Sequence, residues 1–235
     1  MIFDFHSHVL PGVDDGSSSV EESIAMLQEE ARQGIRHVVA TPHFYPHRDS
    51  PERFFERRDQ AWELLQGAME GIEGLPQIIL GAEVRFYPGI SDWDILSELT
   101  IGKSRYILIE MTLPPWNQRA WQELEDIYYK RGLTPIIAHV DRYIRPLCTY
   151  GIPQRLEELP VLVQANASFF CEGFASGMAM KMLKRQQIQL LGSDCHNMTT
   201  RKPNLADAVQ RIRQRLGEEV LSDINACARQ VISGE

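Results

Sequence analysis

The sequence lacks long hydrophobic runs and paired cysteines, and each absence excludes a class of protein. No apolar run approaches the ~20 residues that a membrane-spanning helix needs, and no basic, apolar signal segment opens the chain. The four cysteines, Cys148, Cys171, Cys195 and Cys227, are far apart and form no CxxC pair. Neither a disulfide framework nor a structural zinc site is therefore indicated. We expect a soluble, cytoplasmic protein without membrane insertion.

Positive charge is also scarce. The formal net charge is −8 and the calculated isoelectric point is about 5.4, with no basic tract. A general nucleic-acid binder carries the opposite charge, so we expect no nucleic-acid partner. The densest basic stretch, residues 48–58, is interrupted by Asp49, Glu52, Glu56 and Asp59, and we interpret it as a solvated helix face.

Strand-forming and helix-forming segments alternate along the 235 residues. Seven short apolar segments predict β-strands: Ile2–Phe5, His37–Thr41, Gln77–Ala82, Tyr106–Glu110, Thr134–Ala138, Val161–Ala165 and Gln189–Gly192. Such alternation is typical of a parallel sheet. It predicts an α/β fold with one domain over residues 1–235. Seven units rather than eight suggest a smaller or distorted parallel β/α barrel, TIM-barrel-like in plan.

Helices are predicted between most of these strands. Ser18 or Ser19 can cap the first helix, which Gly34 ends. The other predicted helices are Pro51–Glu70, Trp116–Arg131, Gly177–Gln187, Pro203–Leu216 and one or two short helices at the C-terminus.

Histidines and carboxylates recur at the downstream ends of the predicted strands. A parallel barrel gathers these ends on one face, where its catalytic groups lie. The candidate metal ligands are His6, His8, Asp15, His43, Glu83, Glu110, His139, Asp194 and His196. Nine ligands are too many for one ion, so two or three divalent ions are expected. Mixed imidazole and carboxylate ligands favour Mn, with Fe, Zn and Mg as alternatives, and the pattern indicates a metal-dependent hydrolase.

Six stretches, in order from the first residues to beyond residue 200, resemble the PHP (polymerase and histidinol phosphatase) family. They are FDFHSHVLPGVDDGS, GIRHVVATPHF, LGAEVRFYP, SRYILIEM, GLTPIIAHVDRY and LLGSDCHNMTTRKP. The likeness is greatest to the bacterial PHP-type protein-tyrosine phosphatases of capsule and exopolysaccharide operons. It implies a distorted seven-stranded β/α barrel with a three-metal site.

The resemblance also implies how the candidate ligands are shared among the ions. One ion would be held by His6, His8, Glu83 and Asp194; a second by Glu83 as a bridge, Glu110 and His139; and a third by Asp15, His43 and His196. Arg142 and Arg201 match the family's phosphate-binding arginines. Asp141 is a departure, since relatives often carry Glu there. Asp15 stands where PHP histidinol phosphatases generally carry His, which favours the tyrosine-phosphatase branch.

The implied function is a metal-dependent phosphotyrosine-protein phosphatase. Its substrate would be the tail of a bacterial tyrosine kinase that controls capsule or exopolysaccharide synthesis. Closely spaced ions lower the pKa of a shared water and neutralise phosphoryl oxygens, while arginines clamp the phosphate. The alternatives are a small-molecule phosphoesterase such as histidinol-phosphate phosphatase, a DNA-processing module, and a binding domain with a vestigial site.

Two further features bear on this chemistry. Cys195 and Arg201 form a C-x5-R pattern, as in cysteine-dependent tyrosine phosphatases, but the segment lacks glycine and we interpret Cys195 as a packing residue. Aromatic residues follow two candidate ligands. Phe44 and Tyr87 are expected to bind the phosphotyrosine ring, with Tyr45 and Trp116 as further candidates for the rim.

Overall fold

The apolar segments form short strands, and the amphipathic segments between them form helices. A computed structural model describes residues 2–144, 149–171 and 173–234, so Cys148 lies outside the described residues. The strands found there are β1 Ile2–Ser7, β2 Ile35–Ala40, β3 His43–Phe44, β4 Gln77–Leu80, β5 Glu83–Arg85, β6 Tyr106–Glu110, β7 Thr134–Ile137, β8 Leu162–Asn166 and β9 Leu190–Gly192.

Every ladder between these strands is parallel. One sheet has three strands in the order β1-β2-β4, and the other has six in the order β3-β5-β6-β7-β8-β9. The two sheets are connected where β9 approaches β1. His8 N donates to Cys195 O at 2.9 Å, and Asp194 N donates to His6 O at 2.7 Å. The result is a curled parallel sheet whose strand ends converge.

The junction of β1 and β9 is packed too closely for any residue but glycine at position 192. A Cβ added to Gly192 would lie 2.6 Å from His6 Cβ and 2.8 Å from Gln164 Nε2. Asp4 also ties the two strands together, because its Oδ1 accepts from Ser193 N at 2.9 Å and from His6 N at 3.1 Å. The chain segments that carry the candidate ligands are thereby held in register.

Strand residues alternate between two apolar clusters. On β6, Tyr106 and Leu108 belong to one cluster, and Ile107 and Ile109 belong to the other. The first cluster collects residues from β1, β2, β6, β7 and β9, together with Ala228 and Val231 of the C-terminal helix. The second fills the layer between strands and helices. This two-residue period explains why a charged residue at the end of a strand has a definite side to face.

Eight helices lie in the described parts of the chain. They are α1 Val20–Arg32, α2 Pro51–Met69, α3 Gln118–Arg131, α4 Ile152–Glu157, α5 Ala167–Cys171, α6 Ala175–Lys184, α7 Leu205–Leu216 and α8 Glu218–Ser233. Ser19 caps α1, as one of the two predicted alternatives, by accepting from Glu22 N. Among the described helices, none is long and apolar enough to span a bilayer.

Most predicted boundaries are close to those observed, and β6 agrees at both ends. The predicted strand Gln77–Ala82 is observed as the shorter β4, and β5, which begins after its end, was not predicted. A short β3 follows β2 after Pro42. The C-terminal region forms the single 16-residue α8 rather than short helices. The short helices α4 and α5 were not predicted.

Candidate metal centre

Four buried side chains meet at the end of β1, the start of β5 and the segment that follows β9. His6 Nε2 lies 3.1 Å from Glu83 Oε2 and 3.2 Å from His8 Nε2. Asp194 Oδ1 lies 3.6 Å from His6 Nε2 and 3.5 Å from His8 Nε2. Both imidazoles therefore present a nitrogen to the same two carboxylates, an arrangement in which all four can share one cation.

Glu83 also reaches a second group of ligands with its other oxygen. Its Oε1 lies 2.7 Å from His139 Nε2, and the same nitrogen is 3.8 Å from Glu110 Oε1. Since Oε2 of Glu83 faces His6 while Oε1 faces His139, the carboxylate lies between two groups of donors. This is the geometry that a bridging carboxylate requires.

A third group opens toward solvent. Asp15 Oδ1 lies 3.4 Å from His43 Nε2 and 3.6 Å from His196 Nε2. Ligand atoms of His8, Asp15, His43 and His196 all lie within 4.8 Å of one another. The side chain of Asp15 is 70% exposed, whereas Glu83 is 1% exposed. The site therefore has a buried floor and an accessible edge.

Two of the candidate ligands have left-handed backbone conformations. His139 has φ 32° and Asp194 has φ 55°, and neither is glycine. Such conformations cost roughly 1–3 kcal/mol and occur where surrounding structure requires them, often in active sites. At both positions the chain leaves a strand and turns the side chain into the ligand cluster.

Neighbouring polar groups orient the imidazoles. His6 Nδ1 lies 3.2 Å from Gln164 Oε1, and His8 Nδ1 lies 2.7 Å from Asp14 Oδ2. With Nδ1 occupied in this way, each ring directs Nε2 into the site. Gln164 and Asp14 were missed as site residues by the sequence analysis. A glutamine within the apolar segment VLVQA was the available signal for Gln164.

Asn166 was also missed, and it connects the floor of the site to Asp194. Its Nδ2 donates to Asp194 Oδ2 at 2.9 Å, and its Oδ1 accepts from Gln164 Nε2 at 3.1 Å. Its backbone N–H donates to Asp141 Oδ1 at 3.0 Å. Asp141 thus supports the end of β8 rather than entering the ligand cluster.

The residues present suit a divalent metal centre. Buried polar atoms are nearly always hydrogen-bonded. Yet among the described residues His196 Nε2 is buried without a hydrogen-bond partner, and the buried Glu83 Oε2 faces imidazole nitrogens, 3.1 Å from His6 and 2.9 Å from His43. The donors are imidazole nitrogens and carboxylate oxygens, which suit Mn, Fe or Zn. Ligand-type atoms that converge in this way fit the divalent ions expected from the sequence.

Neighbouring charges raise the pKa of two imidazoles. Burial lowers the pKa of His6, but the charges of Glu83 and Asp194 outweigh this effect and raise it above its usual value. Burial also lowers the pKa of His8, but the charge and hydrogen bond of Asp14 outweigh it and raise this pKa well above its usual range. These two rings bind protons readily wherever no cation replaces them.

Other ligands are held ready for a cation. Burial, with the charges of His8 and Arg201, lowers the pKa of His196 to about 4, so this ring is neutral at pH 7. Burial alone would raise the pKa of Glu83, but the charge of His6 and the hydrogen bond from His139 hold it well below its usual value. Glu83 is therefore ionised.

Both predicted phosphate-binding arginines line the centre. Arg142 Nη2 lies 2.7 Å from Asp194 Oδ2, and Arg201 Nη2 lies 2.7 Å from Asp194 Oδ1. Their side chains are 39% and 37% exposed, so each guanidinium retains donors that face outward. A guanidinium has five N–H donors, so pairing with Asp194 leaves several for a phosphate.

The prediction that Phe44 binds substrate is wrong. Phe44 is 0% exposed and packs against Phe54 and Trp93. Successive strand residues point to opposite faces, so a strand that aims His43 into the site must aim Phe44 into the core. Tyr45 instead lies at the site, with its ring centroid 5.1 Å from that of His43.

Tyr87 packs beside Trp93. The two rings meet edge-on, and burial with the charges of Glu123 and Asp92 raises the pKa of Tyr87 to about 12. None of these neighbours is a candidate ligand, so the expected contact of Tyr87 with substrate has no support here. Trp116 is buried, and its Nε1 donates to Thr112 O at 2.7 Å.

The cysteine pattern does not form a phosphate cradle. Cys195 is 0% exposed, and burial with the charges of Glu30 and Asp4 raises the pKa of its thiol well above the usual value. The backbone N–H groups of residues 199–201 donate to Asn197 Oδ1 at 2.8–3.0 Å. A cysteine phosphatase would need those N–H groups for its phosphate. Cys195 therefore packs behind the candidate ligands.

Known proteins are similar to this chain in sequence. Tyrosine-protein phosphatase CpsB of Streptococcus pneumoniae is 29% identical over 246 residues, covering 95% of this chain and 94% of that protein. Tyrosine-protein phosphatase YwqE of Bacillus subtilis is 29% identical over 228 residues, covering 93% of this chain and 87% of that protein.

A solved structure gives the same fold. The crystal structures of YwqE from Bacillus subtilis and CpsB from Streptococcus pneumoniae, described as unique metal-dependent tyrosine phosphatases, include a chain that aligns with a TM-score of 0.83. The alignment has 23% identity and covers 100% of this chain and 95% of that chain. The family model described as capsular polysaccharide synthesis, CpsB/CapC, matches residues 2–232. The chain belongs to the CpsB/CapC family.

Proposed function

We propose that this chain is a metal-dependent protein-tyrosine phosphatase. Its substrate is phosphotyrosine on a bacterial tyrosine kinase that regulates capsule or exopolysaccharide synthesis. The relatives CpsB and YwqE are named tyrosine-protein phosphatases, and the family description refers to capsular polysaccharide synthesis. A kinase substrate is phosphorylated where ATP is available, which makes the cytoplasm the proposed location.

One observation carries the proposal: three groups of ligand-type atoms and two arginines converge at the same strand ends. His6, His8 and Asp194 form one group, and Glu83 reaches into the next. We propose two or three divalent ions, with Mn first and Fe, Zn or Mg as alternatives. When bound, such ions supply Lewis acidity and an activated water for direct phosphoryl transfer.

The protein's own residues have distinct proposed roles. Glu83 joins two ligand groups through its separate oxygens. His139 and Glu110 complete the second group. Arg142 and Arg201 bind the phosphate oxygens, since a planar guanidinium can donate two parallel hydrogen bonds to them. Holding the phosphate in this way fixes the line between phosphorus and the leaving phenol oxygen.

The shape of the site favours a protein substrate. Asp15 is 70% exposed at its edge, and Arg142 and Arg201 are each more than a third exposed. A phosphotyrosine projecting from a polypeptide can approach such an edge. A small-molecule phosphoesterase, such as a histidinol-phosphate phosphatase, would be expected to surround its substrate.

The fold proposal follows the strand pairing. We count β2 with β3, and β4 with β5, as single strands interrupted by short breaks, which gives seven. Glu83 N donates to Pro42 O at 3.0 Å across one such break. The bridge between Ser7 and Cys195 is offered as the closure of a distorted barrel. We also propose that residues 1–235 act as one phosphatase domain.

A substrate panel tests the function. The purified protein, with Mn and with chelator, is given a phosphotyrosyl peptide, its phosphoseryl counterpart, histidinol phosphate and single-stranded DNA. The proposal expects Mn-dependent turnover with kcat/KM highest for the phosphotyrosyl peptide. Preference for histidinol phosphate would replace the proposal by its alternative, and equal kcat/KM for the two peptides would remove the tyrosine assignment.

A further inference from the structure

A cavity of about 730 Å³ extends from the accessible edge of the metal centre. Asp15, His43 and Tyr45 line one part of it. The remaining lining comes from the loop after β3 and the start of α2, and includes three arginines, Arg48, Arg53 and Arg57. We call the part lined by these three residues the arginine groove. Its continuity with Asp15 and His43 places it beside the reacting phosphate.

The arginines differ in how their charges are neutralised. Arg57 Nη2 is paired with Asp49 Oδ2 at 2.5 Å, which connects α2 to the loop. The guanidinium of Arg48 lies 5.3 Å from the centroid of the Tyr45 ring. Within residues 2–144, 149–171 and 173–234, neither Arg48 nor Arg53 has a carboxylate at ion-pairing distance. Two charges in the groove therefore lack a counter-ion.

The acidic residues of the lining do not cancel this charge. Asp14 is engaged by His8 at 2.7 Å, and Asp15 belongs to the third ligand group. Asp49 is paired with Arg57. Glu56 remains, and its Oε1 accepts from Gln60 Nε2 at 3.5 Å, one turn further along α2. When Asp14 and Asp15 are assigned to the metal centre, the three arginines against Asp49 and Glu56 leave this part of the cavity with a net charge of +1.

Residues 48–58 were interpreted from the sequence as a solvated helix face, and the structure divides them. Arg58 lies over the rings of Phe54 and Phe55 and pairs with Asp59 at 3.0 Å. The guanidinium of Arg58 is therefore already engaged by these contacts. Arg48, Arg53 and Arg57 instead share the cavity beside the metal centre.

We propose that the arginine groove binds an anionic side chain, carboxylate or phosphate, of the same polypeptide that carries the phosphotyrosine. This inference rests on the proposed phosphatase function and adds a preference among phosphotyrosyl sequences. Guanidinium groups bind carboxylate and phosphate oxygens in pairs, and the first turn of α2 also favours an anion. The dominant contacts are those of Arg48 and Arg53.

The size of the cavity sets the position of that side chain. A volume of 730 Å³ corresponds to a width of ~9 Å, and an extended chain advances roughly 3.3 Å per residue. The anionic side chain is therefore expected two or three residues from the phosphotyrosine.

The test uses a phosphotyrosyl peptide with one residue varied at these positions: Gln, Glu, a second phosphotyrosine or Lys. The native protein should show kcat/KM about three- to tenfold higher for the Glu peptide than for the Gln peptide. If kcat/KM is higher for the peptide with a second phosphotyrosine than for the Glu peptide, phosphate is the better ligand of the groove. If the two values are equal, the groove recognises negative charge alone.

Variants assign the preference to the groove. The double variant Arg48→Gln, Arg53→Gln should bring the ratio of Glu to Gln peptide close to one. Arg229→Gln is the matched control, since Arg229 is exposed on α8 and the charge change per site is the same. It should keep the ratio. The reversal Arg48→Glu, Arg53→Glu should favour the Lys peptide, and thermal melting of each variant checks that it is folded.

The possible failures are distinguishable. Equal kcat/KM for all four peptides in the native protein would overturn the groove and leave the phosphatase function intact. A Glu preference that survives in the folded double variant would also overturn it. If the native protein hydrolyses none of the peptides with Mn present, the proposed function fails and this inference fails with it.

Discussion

Glu83 illustrates how one side chain can organise the centre. Its oxygens lie 3.1 Å from His6, 2.9 Å from His43 and 2.7 Å from His139. A carboxylate buried to 1% exposure is costly unless it is paired or bound to a cation. Replacing it therefore affects more than one ligand group at once.

We expect Glu83→Gln to lower both metal content and turnover. The amide keeps the size of the side chain but removes the charge that joins two groups, so kcat should fall at least ~100-fold. Elemental analysis of the purified variant, together with phosphopeptide turnover, measures the two effects. Glu123→Gln is the control, because Glu123 is also buried but accepts from Gly89 and Ser91 far from the ligands. A Glu83→Gln protein with its full metal complement and normal turnover would show that the ligand assignment is wrong.

Alanine substitutions of Cys195 and Arg201 are expected to affect turnover differently. Cys195→Ala removes a buried thiol and should retain turnover within about threefold, with a stability loss of about 1 kcal/mol. Arg201→Ala should lower kcat by about 10²–10³-fold while the metals stay bound, because it removes a donor to the transferring phosphate. Metal content, melting temperature and kcat are compared for the two variants. Loss of turnover in Cys195→Ala with metals retained would favour a thiolate mechanism instead.

The residues of the site could be predicted only in part from the sequence. Most of the nine candidate ligands were recognised because a histidine or carboxylate stands at or just after the end of a predicted strand, whereas Asp15 lies in the loop after β1. The structure brings all nine together, and their ligand roles remain predictions. Asp14, Gln164 and Asn166 were not recognised in this way. Gln164 and Asn166 are uncharged, and Asp14 adjoins the candidate ligand Asp15 while its own carboxylate is engaged by His8. Asp14 and Gln164 matter because each occupies the Nδ1 of a candidate histidine, and Asn166 matters because it holds the carboxylate of Asp194. A one-dimensional pattern does not contain these contacts.

At the scale of elements, the alternation of a strand decides which aromatic residue meets substrate. In β3 and the residue after it, His43 and Tyr45 face the site while Phe44 faces the core. The sequence contains this alternation, and it assigns Phe44 to the core rather than to substrate. The short α4 and α5 were harder to predict, since five or six residues do not establish a helical period. The long strands and helices, in contrast, were recognisable from their apolar patterns.

Variants of the two aromatic residues should separate stability from binding. Phe44→Ala leaves a cavity in the core and should lower the free energy of unfolding by about 3–5 kcal/mol. Tyr45→Ala should leave stability nearly unchanged and lower kcat/KM for a phosphotyrosyl peptide about two- to tenfold, because a ring contact is lost. Denaturant unfolding and steady-state kinetics give the two quantities. The reverse assignment, with Phe44→Ala stable but impaired in kcat/KM, would refute this orientation of β3.

At the scale of the whole molecule, family membership is confirmed, since the CpsB/CapC model matches residues 2–232. The parallel α/β fold is confirmed as well, by the strand pairing and by the alignment with the YwqE and CpsB structures. The interruptions that divide β2 from β3 and β4 from β5 could not be predicted from the sequence. These depend on hydrogen bonds between distant segments, such as Gly81 N to Ala40 O.

The metal centre should couple metal binding to pH. His6 and His8 have raised pKa values in the metal-free protein, so a cation must displace their protons, and affinity should rise as pH increases. The raised pKa values also stabilise the metal-free protein below the usual histidine pKa of about 6.5, and this stability is lost as pH rises through the raised values. The difference in melting temperature between Mn-loaded and chelated protein should therefore widen from pH 6 to pH 8. A difference that is constant or narrows over this range would contradict the roles of these two rings.

The most direct test of the account follows bound metal and turnover in the same titration. Chelated protein is titrated with Mn at pH 8, while bound ions are counted and hydrolysis of a phosphotyrosyl peptide is measured at each point. We expect no turnover without metal and full turnover only when two or three ions are bound, and we expect Cys195→Ala to follow the same curve. Turnover by the metal-free protein, or a rate that does not change as the ions bind, would contradict the claim that this centre performs the chemistry.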